Sequence, residues 1–217
     1  MGEAELIKHT NQLIIHAVII VYGDAANDDI ATFIAADIAH FWNAAHGKVN
    51  IKGQSYTVSF QMNGHYDKAL EPLTVYANTN PRYNYFRIEE FASGNISFVD
   101  GLNSNTGYFK LDNLLHKSTT AAHEFGHTLG LEHPDDLDIR GRGTPGIMYP
   151  RGAIVDPQYQ YDPHAQPGTN GGTINPFTRK VLQKDIDDLE LHKLDFNAEG
   201  FATVGGFTSI WHEKHLP

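Results

Sequence analysis

Cysteine is absent from the sequence. Its absence excludes disulfide bonds, thiolate metal sites and a cysteine nucleophile. Positive charge is scarce as well, because 16 Lys and Arg residues face 26 Asp and Glu residues and the formal net charge is -10. Proteins that bind nucleic acid concentrate Lys and Arg on one face, and the sequence contains no such cluster. Nucleic acid is therefore not an expected partner.

Long apolar runs are also missing. The longest covers residues 13–22, about half the length that a bilayer span requires. Lys8 precedes this run as in a signal peptide, but the acidic Glu3 and Glu5 and the internal His16 suit a leader poorly. The run is therefore predicted to be a buried first strand, and an exported protein would need a leader or carrier segment outside this sequence.

The overall composition is that of a globular protein. Hydrophobic residues make up 41% of the 217 residues and charged residues 19%. This balance is too apolar for a solvated, disordered chain. A chain of this length can bury a substantial core within one domain.

Periodicity predicts the order of elements in the first half of the chain. After the first strand, apolar residues recur at helical spacing between Asn27 and Gly47, which indicates an amphipathic helix. A strand over residues 55–62 follows, so strand, helix and strand indicate a parallel pair covered by the helix. Further strands are predicted at residues 73–78, 95–100 and 106–111.

The second half begins with a helix from Leu114 or Ser118 to Leu129, which Gly130 ends. Residues 134–175 are rich in Pro, Gly and Asp and have no clear period, so they are predicted to form irregular loops. In a compact domain such a stretch is usually functional or held by a ligand. A last helix is predicted over residues 179–196. Its solvated face would carry Asp185, Asp187 and Asp188.

The stretch HEFGHTLGLEH, residues 123–133, contains three histidines and a glutamate. His123 and His127 are four residues apart, so on a helix their imidazoles lie on one face within reach of a single ion. Glu124 points partly off that face, where it can address a water on the metal without being a ligand. Gly130 can adopt a positive φ, which lets the chain leave the helix sharply and return His133 to the same point.

Three imidazoles with an open fourth position are typical of a catalytic zinc site, whereas structural sites close all four positions, usually with cysteine. A carboxylate or tyrosine elsewhere would also be compatible as an additional ligand. With this composition, H-E-x-x-H arises by chance in roughly 4% of such chains and the full spaced pattern in about 0.02%. The other histidines lack ligand spacing and are predicted to be surface or hydrogen-bonded residues: His9, His16, His40, His46, His65, His116, His164, His192, His212 and His215.

The pattern H-E-x-x-H-x-x-G-x-x-H resembles the metzincin clan of zinc metallopeptidases, whose second signature is a tight methionine turn beneath the metal. GIMYP, residues 146–150, is similar to that turn. The resemblance implies one zinc ion held by the three histidines of the motif. It also implies that Met148 is a hydrophobic base and not a ligand, and that Tyr149 and Pro150 line the substrate pocket.

Two subfamilies share features with the chain. The motif, IMYP and the LQKDIDDL helix are similar to matrixins, whereas Pro134 directly after the third histidine is similar to serralysins. Pro150 occupies the position where astacins and serralysins place a tyrosine that can reach the zinc, so that ligand is predicted to be absent. No glycine-aspartate repeat of serralysin type follows, and the acidic segment 134–138 is predicted to be a solvated loop. Calcium is therefore not predicted.

For the fold, the resemblance implies an α+β, zincin-like architecture. A twisted, mixed five-stranded sheet with two helices would form an upper lobe, and an irregular lower lobe would contain the C-terminal helix. The expected division is residues 1–133 for the lobe that ends in the zinc-binding helix and 134–217 for the lobe with the methionine turn, together one catalytic domain. An extended substrate would pair with strand 95–100 if that strand forms the edge of the sheet, although an ordinary paired strand is equally compatible.

For the function, the resemblance implies a secreted zinc-dependent endopeptidase that hydrolyses peptide bonds of protein substrates. Zinc would activate a water and polarise the scissile carbonyl, and Glu124 would take the water proton and deliver it to the leaving amine. One alternative is the peptidase cargo of a larger secreted or toxin-like bacterial polypeptide, which flanking sequence would reveal. Another is a zinc-dependent binding module that has lost catalysis, and the presence of Glu124 counts against it.

Overall fold

A computed structural model describes residues 1–115 and 118–216. The prediction for His116, and the part of the predicted third helix at His116 and Lys117, lie outside the described residues. The described chain contains eight strands and four α-helices. In order they are β1 (Gly2–Ile7), β2 (Gln12–Tyr22), α1 (Asp28–Ala44), β3 (Lys48–Ile51), β4 (Gln54–Tyr66), α2 (Pro72–Tyr76), β5 (Tyr83–Glu89), β6 (Phe98–Val99), β7 (Thr106–Lys110), α3 (Thr120–Thr128), α4 (Gln183–Asp188) and β8 (Phe201–Val204).

The predicted α+β class is confirmed, but the predicted five-stranded sheet is wrong, because the sheet has eight strands. β2 lies at its centre and pairs in parallel with β4 on one side. On the other side, β1 pairs antiparallel with the first half of β2 and β5 pairs in parallel with the second half. The order continues from β5 to β7 and β6, so β6 forms one edge. β3 forms the opposite edge beside β4, and β8 extends the sheet beside β1.

α1 packs across the sheet and forms much of the core. The Asn27 side chain caps its N-terminus by accepting a hydrogen bond from the Ile30 backbone at 2.8 Å, which satisfies a donor that the helix leaves unpaired. The buried side chains of α1 belong to one hydrophobic core with residues of β2 and β4. Ile147 and Ile186, from the second half of the chain, belong to the same core. The two predicted lobes therefore share apolar packing, and the boundary at residue 133 stays a prediction.

Residues 73–78 do not form the predicted strand, because α2 occupies most of this range. Pro72 stands in the first turn of α2, where its fixed φ suits a helix and its missing N–H costs nothing. Leu73 and Tyr76 are exposed. Val75 is the one buried residue of α2, and it packs against Ile20 and Tyr85 of the sheet. The segment therefore contacts the sheet as a helical turn and not as a strand.

β5 was not predicted because charged residues interrupt its apolar pattern. Arg87 and Glu89 are both buried in it and form an ion pair with Nη2 and Oε1 2.7 Å apart. The pair satisfies the two charges inside the protein, which the pattern of apolar residues alone does not reveal. β1, β3 and β8 were missed as well, and they contain only 6, 4 and 4 residues.

Two predicted elements are shorter than expected. β6 contains only two residues of the predicted strand 95–100, because a 3₁₀ turn occupies Ser93–Asn95. α4 covers only part of the predicted last helix, because Glu190 adopts a left-handed φ of 50° and a separate 3₁₀ turn follows at Leu191–Lys193. A left-handed residue interrupts the hydrogen bonds that would continue the helix.

Residues 134–175 are irregular, as their composition predicts. Isolated bridges join Asp138 to Ile154 and Gln160 to Ile174. Ile139, Ala153, Val155 and Ile174 form a small apolar cluster of their own beneath these loops. Among the helices of the described residues, none has both the length and the apolar character needed to cross a bilayer.

Candidate metal centre

α3 contains the first two histidines of the motif and lies in the protein interior. Every residue of α3 except His127 is buried. The helix is held by α1, because Trp42 Nε1 donates to the Ala122 carbonyl at 3.0 Å. The Trp42 ring also lies edge-on to the Phe125 ring, with centroids 6.2 Å apart. These contacts limit the freedom of the helix that presents the two histidines.

The three histidines of the motif come together at one point. His133 Nε2 lies 3.1 Å from His123 Nε2 and 3.1 Å from His127 Nε2. One ligand nitrogen from each residue lies within 4.8 Å of the others. Within residues 1–115 and 118–216, no other group of three or more His, Asp or Glu residues converges in this way.

Gly130 makes the return of His133 possible. Its φ is +102°, a value that side chains with a Cβ rarely adopt. A Cβ at this position would also lie 2.5 Å from Asn103 Oδ1. The Leu131 backbone then donates to the Gly126 carbonyl at 3.0 Å, which closes the end of α3. The sharp exit from α3 therefore requires glycine.

Backbone carbonyls fix the orientation of two of the imidazoles. His123 Nδ1 lies 2.8 Å from the Ile147 carbonyl and His127 Nδ1 lies 2.6 Å from the Leu131 carbonyl. Because a carbonyl only accepts, each Nδ1 carries the proton and each Nε2 keeps its lone pair. Arg179 Nη1 is also 3.0 Å from His123 Nδ1. With a proton on Nδ1 this is a contact between two donors, and Nη1 donates instead to the Tyr149 carbonyl at 2.9 Å.

The arrangement fits one zinc ion. Tetrahedral zinc with Zn–N distances of about 2.0–2.1 Å holds its ligand nitrogens about 3.3 Å apart, close to the 3.1 Å separations found here. Lone pairs aimed at one another at this distance repel unless a proton or a cation lies between them. Burial lowers the pKa of His123, His127 and His133, which favours the neutral imidazole that binds metals.

Glu124 is only 8% exposed. Burial raises its pKa to about 8, while the nearby Arg179 guanidinium and Val99 backbone N–H favour the ionised form. Glu124 lines two adjoining pockets, of about 210 Å³ and about 350 Å³, and both are also lined by His123 and His133. The carboxyl group therefore faces the same space as the open side of the histidine cluster.

Met148 supports α3 at the level of the histidines. It is buried, and a Cβ built on Gly126 would lie only 2.4 Å from its Sδ atom. Gly126 stands directly before His127, so the sulfur packs against the helix backbone between the first two histidines. This contact is possible only because residue 126 has no side chain.

Asp185 was predicted to lie on the solvated face of the last helix, and this prediction is wrong. It is 7% exposed, and its Oδ2 accepts a hydrogen bond from the Leu182 backbone at 2.7 Å. The nearby Ile147 backbone N–H lowers the pKa of Asp185 and so favours its ionised form. Ile147 is the residue whose carbonyl orients His123, so Asp185 joins α4 to the turn behind the metal site. Asp187 and Asp188 are exposed.

Pro150 and Tyr149, both predicted to line the substrate pocket, face different cavities. Pro150 lines the pocket of about 210 Å³ together with Glu124. Tyr149 lines a separate cavity of about 550 Å³, which His133 and Met148 also border. The two neighbouring residues therefore contribute to different walls around the centre.

Arg179 was missed because its position follows only from packing across a long stretch of chain. It is 4% exposed, and its Nε donates to Thr119 Oγ1 at 2.9 Å. Burial lowers the pKa of Arg179 to about 10, so the guanidinium remains charged at neutral pH. No spacing in the sequence connects residue 179 with His123 or Glu124.

The other histidines of the described ranges do not join the centre. His16 Nε2 pairs with Glu5 at 2.7 Å and His212 Nε2 pairs with Asp100 at 2.9 Å, as expected for hydrogen-bonded residues. His9, His40 and His164 are exposed. Histidines that pair with a carboxylate or are exposed are expected where the sequence has no ligand spacing.

Comparison with known proteins adds little to the geometry. No protein-family profile matches the chain, and no curated protein matches its sequence. Among solved structures, the chain is similar to one described as the structure of myroilysin, with a TM-score of 0.37 and 14% sequence identity. The match covers 89% of this chain and 100% of the other. This likeness is too low to assign the chain to a family.

Proposed function

We propose that the protein is a zinc-dependent endopeptidase of metzincin type, with His123, His127 and His133 as metal ligands. The observation that carries the proposal is the convergence of three imidazole Nε2 atoms beside a buried carboxyl group in an open pocket. Three ligands leave one position free, which is the arrangement of catalytic and not of structural zinc sites. Met148 serves as an apolar support and not as a ligand.

When bound there, zinc supplies Lewis acidity, which polarises a peptide carbonyl and lowers the pKa of a water towards about 7. Glu124 acts as the general base: its carboxylate takes a proton from the attacking water and delivers it to the leaving amine. Burial raises the pKa of Glu124 to about 8, and the Val99 backbone and Arg179 oppose this shift by favouring the ionised form that a base requires. The Ile147 and Leu131 carbonyls hold the imidazoles in the tautomer that the reaction requires.

β6 is proposed to align the substrate. It forms an edge of the sheet, and Phe98 and Val99 line the pocket of about 350 Å³ that contains Glu124 and the three histidines. An extended peptide can add to such an edge through main-chain hydrogen bonds.

The test is cleavage of an unfolded general protein substrate by zinc-loaded wild type and by Glu124→Gln. Glutamine keeps the shape of the side chain but cannot take a proton, so we expect turnover to fall by about 10²–10⁴-fold while zinc content stays equal. Glu132→Gln is the matched control, because Glu132 belongs to the same motif but is exposed. Its activity should stay within about twofold of wild type.

The outcomes separate the hypotheses. Cleavage that a chelator abolishes, and that Glu124→Gln lacks despite bound zinc, supports the proposal. Equal cleavage by both zinc-loaded proteins would contradict the role of Glu124. If neither protein cleaves although both bind zinc, the result would favour a latent form, a very narrow specificity or a zinc-dependent binding module.

A further inference from the structure

The pocket of about 210 Å³ beside the histidines has an unusual lining. Its wall includes Thr120, Glu124, Pro150, Arg151 and Arg179. We call it the side pocket. It is smaller than the roughly 300–1,000 Å³ that hold drug-sized ligands, so it suits a single amino-acid side chain. Two of its residues carry a guanidinium and only Glu124 carries a carboxyl group.

Arg179 is fixed at the base of the side pocket. Its Nε donates to Thr119 Oγ1 at 2.9 Å and its Nη1 donates to the Tyr149 carbonyl at 2.9 Å. Nη2 makes no hydrogen bond with the described residues, and the Arg179 side chain lines the side pocket. An arginine that is held through two of its nitrogens can offer the third to a carboxylate.

Arg151 supplies the second charge at the mouth of the side pocket. It follows Pro150 directly and is exposed. No carboxylate of the described chain forms an ion pair with it. Arg140 and Arg142, in the same irregular region, pair with Asp138 and Asp136. The unpaired state of Arg151 therefore distinguishes it from the neighbouring arginines.

The charge of the side pocket differs from that of the protein as a whole. The chain has a formal net charge of -10, so its average field repels acidic peptides. In the side pocket two guanidinium groups face one carboxyl group. Both guanidinium groups interact with Glu124, and even an ionised Glu124 offsets only one of their two positive charges. The side pocket would therefore attract an acidic ligand, although the protein as a whole carries a negative net charge.

We propose that the side pocket selects substrates by binding the carboxylate of an Asp or Glu residue that adjoins the scissile bond. The inference rests on the proposed peptidase function. An acidic side chain gives Nη2 of Arg179 a charged acceptor, and Arg151 adds attraction at the mouth. An apolar side chain would cover both guanidinium groups without pairing them, which costs free energy. Arg179 and Arg151 are therefore specificity-determining residues.

The first experiment maps cleavage sites in a library of peptides that differ only at the residues on either side of the scissile bond. We expect peptides with Asp or Glu at one of these positions to be cleaved at least about tenfold faster, in kcat/KM, than those with Asn, Gln or Leu. A carboxylate could also come from the end of the peptide. Matched peptides with amidated and free C-termini separate that source from the acidic side chain.

Variants test the two arginines. Arg151→Gln should reduce the preference to about threefold or less, and Arg151→Glu should reverse it towards Lys or Arg. Arg140→Gln is the matched control, because Arg140 is another exposed arginine of the same region and does not line the pocket. Arg179→Lys keeps the charge but loses the fork. If Arg179→Lys fails to fold, the two variants Arg151→Gln and Arg151→Glu test the proposal on their own.

A binding measurement makes the outcome independent of turnover. Fluorescence polarisation of labelled peptides with zinc-loaded Glu124→Gln protein should show tighter binding of the acidic peptides, and Arg151→Gln in this background should weaken it. Equal cleavage and equal binding of acidic and neutral peptides would overturn the inference and leave the proposed function standing. If the wild type cleaves no peptide at all, the proposed function fails, and the binding preference alone supports or overturns the role of the pocket.

Discussion

Gly126 shows how one residue can link packing to metal binding. It stands between His123 and His127 in sequence, and a Cβ there would lie 2.4 Å from Met148 Sδ and 3.4 Å from the Trp42 ring. Gly126→Ala must displace Met148 or α3. We expect the free energy of unfolding to fall by about 1–3 kcal/mol, as for other overpacked cores. Zinc affinity should fall with it, because a shift of α3 moves two ligands.

Gly152→Ala is the matched control for this prediction. A Cβ at Gly152 would meet nothing within 4 Å, and its φ lies outside the left-handed region. Denaturant unfolding and zinc titration of both variants check the effect. Equal stability and equal zinc affinity in the two variants would show that Met148 does not support the helix between the histidines.

Among the elements, α4 acts on the metal site through Asp185. Burial raises the pKa of Asp185 from 3.8 to about 6. The folded state therefore holds this proton more tightly than the unfolded state, so the contribution of Asp185 to stability is greatest below about pH 4 and falls as the pH rises through 6. The loss is up to about 3 kcal/mol. Asp185→Asn removes this titration.

Denaturant unfolding of wild type and Asp185→Asn between pH 4 and pH 7 checks the prediction. The difference between their free energies of unfolding should change by up to about 3 kcal/mol in favour of the variant as the pH rises. Comparing the two proteins cancels the titration of the histidines. Asp187→Asn, at an exposed position of the same helix, should give a curve parallel to wild type. A parallel curve for Asp185→Asn would contradict the prediction.

Elements with local signals could be predicted from the sequence, and the others could not. α1 has its cap and apolar stripe within one segment, and the histidine motif needs only a helical repeat and Gly130. β5 contains a buried ion pair that interrupts its apolar pattern. α2 depends on one proline at the start of a segment that is rich in strand-forming residues. Arg179 donates a hydrogen bond to Thr119, which lies 60 positions earlier in the chain. Its role depends on how distant segments pack, which periodicity does not encode.

At the scale of the whole molecule, one hydrophobic core connects the sheet, α1, α3 and the turn that contains Met148. β8, near the end of the chain, also returns to the sheet beside β1. The histidines lie at the margin of this core, and His133 is exposed. Removing a metal ion from the margin leaves the apolar packing of the sheet intact. The metal-free protein should therefore remain folded but lose the stability that ligand binding adds.

Zinc should accordingly raise the melting temperature of the metal-free protein without changing its far-ultraviolet circular dichroism. Free zinc at about a thousand times Kd adds about 4 kcal/mol, and each kcal/mol shifts Tm by about 2–4 °C in a chain of this size. A rise of about 8–16 °C in scanning calorimetry follows from these two values. His133→Ala should lose most of the rise, because it removes one of three ligands from an exposed position. His164→Ala, also exposed, should keep it. An equal rise in both variants would show that zinc stabilises the protein at another site.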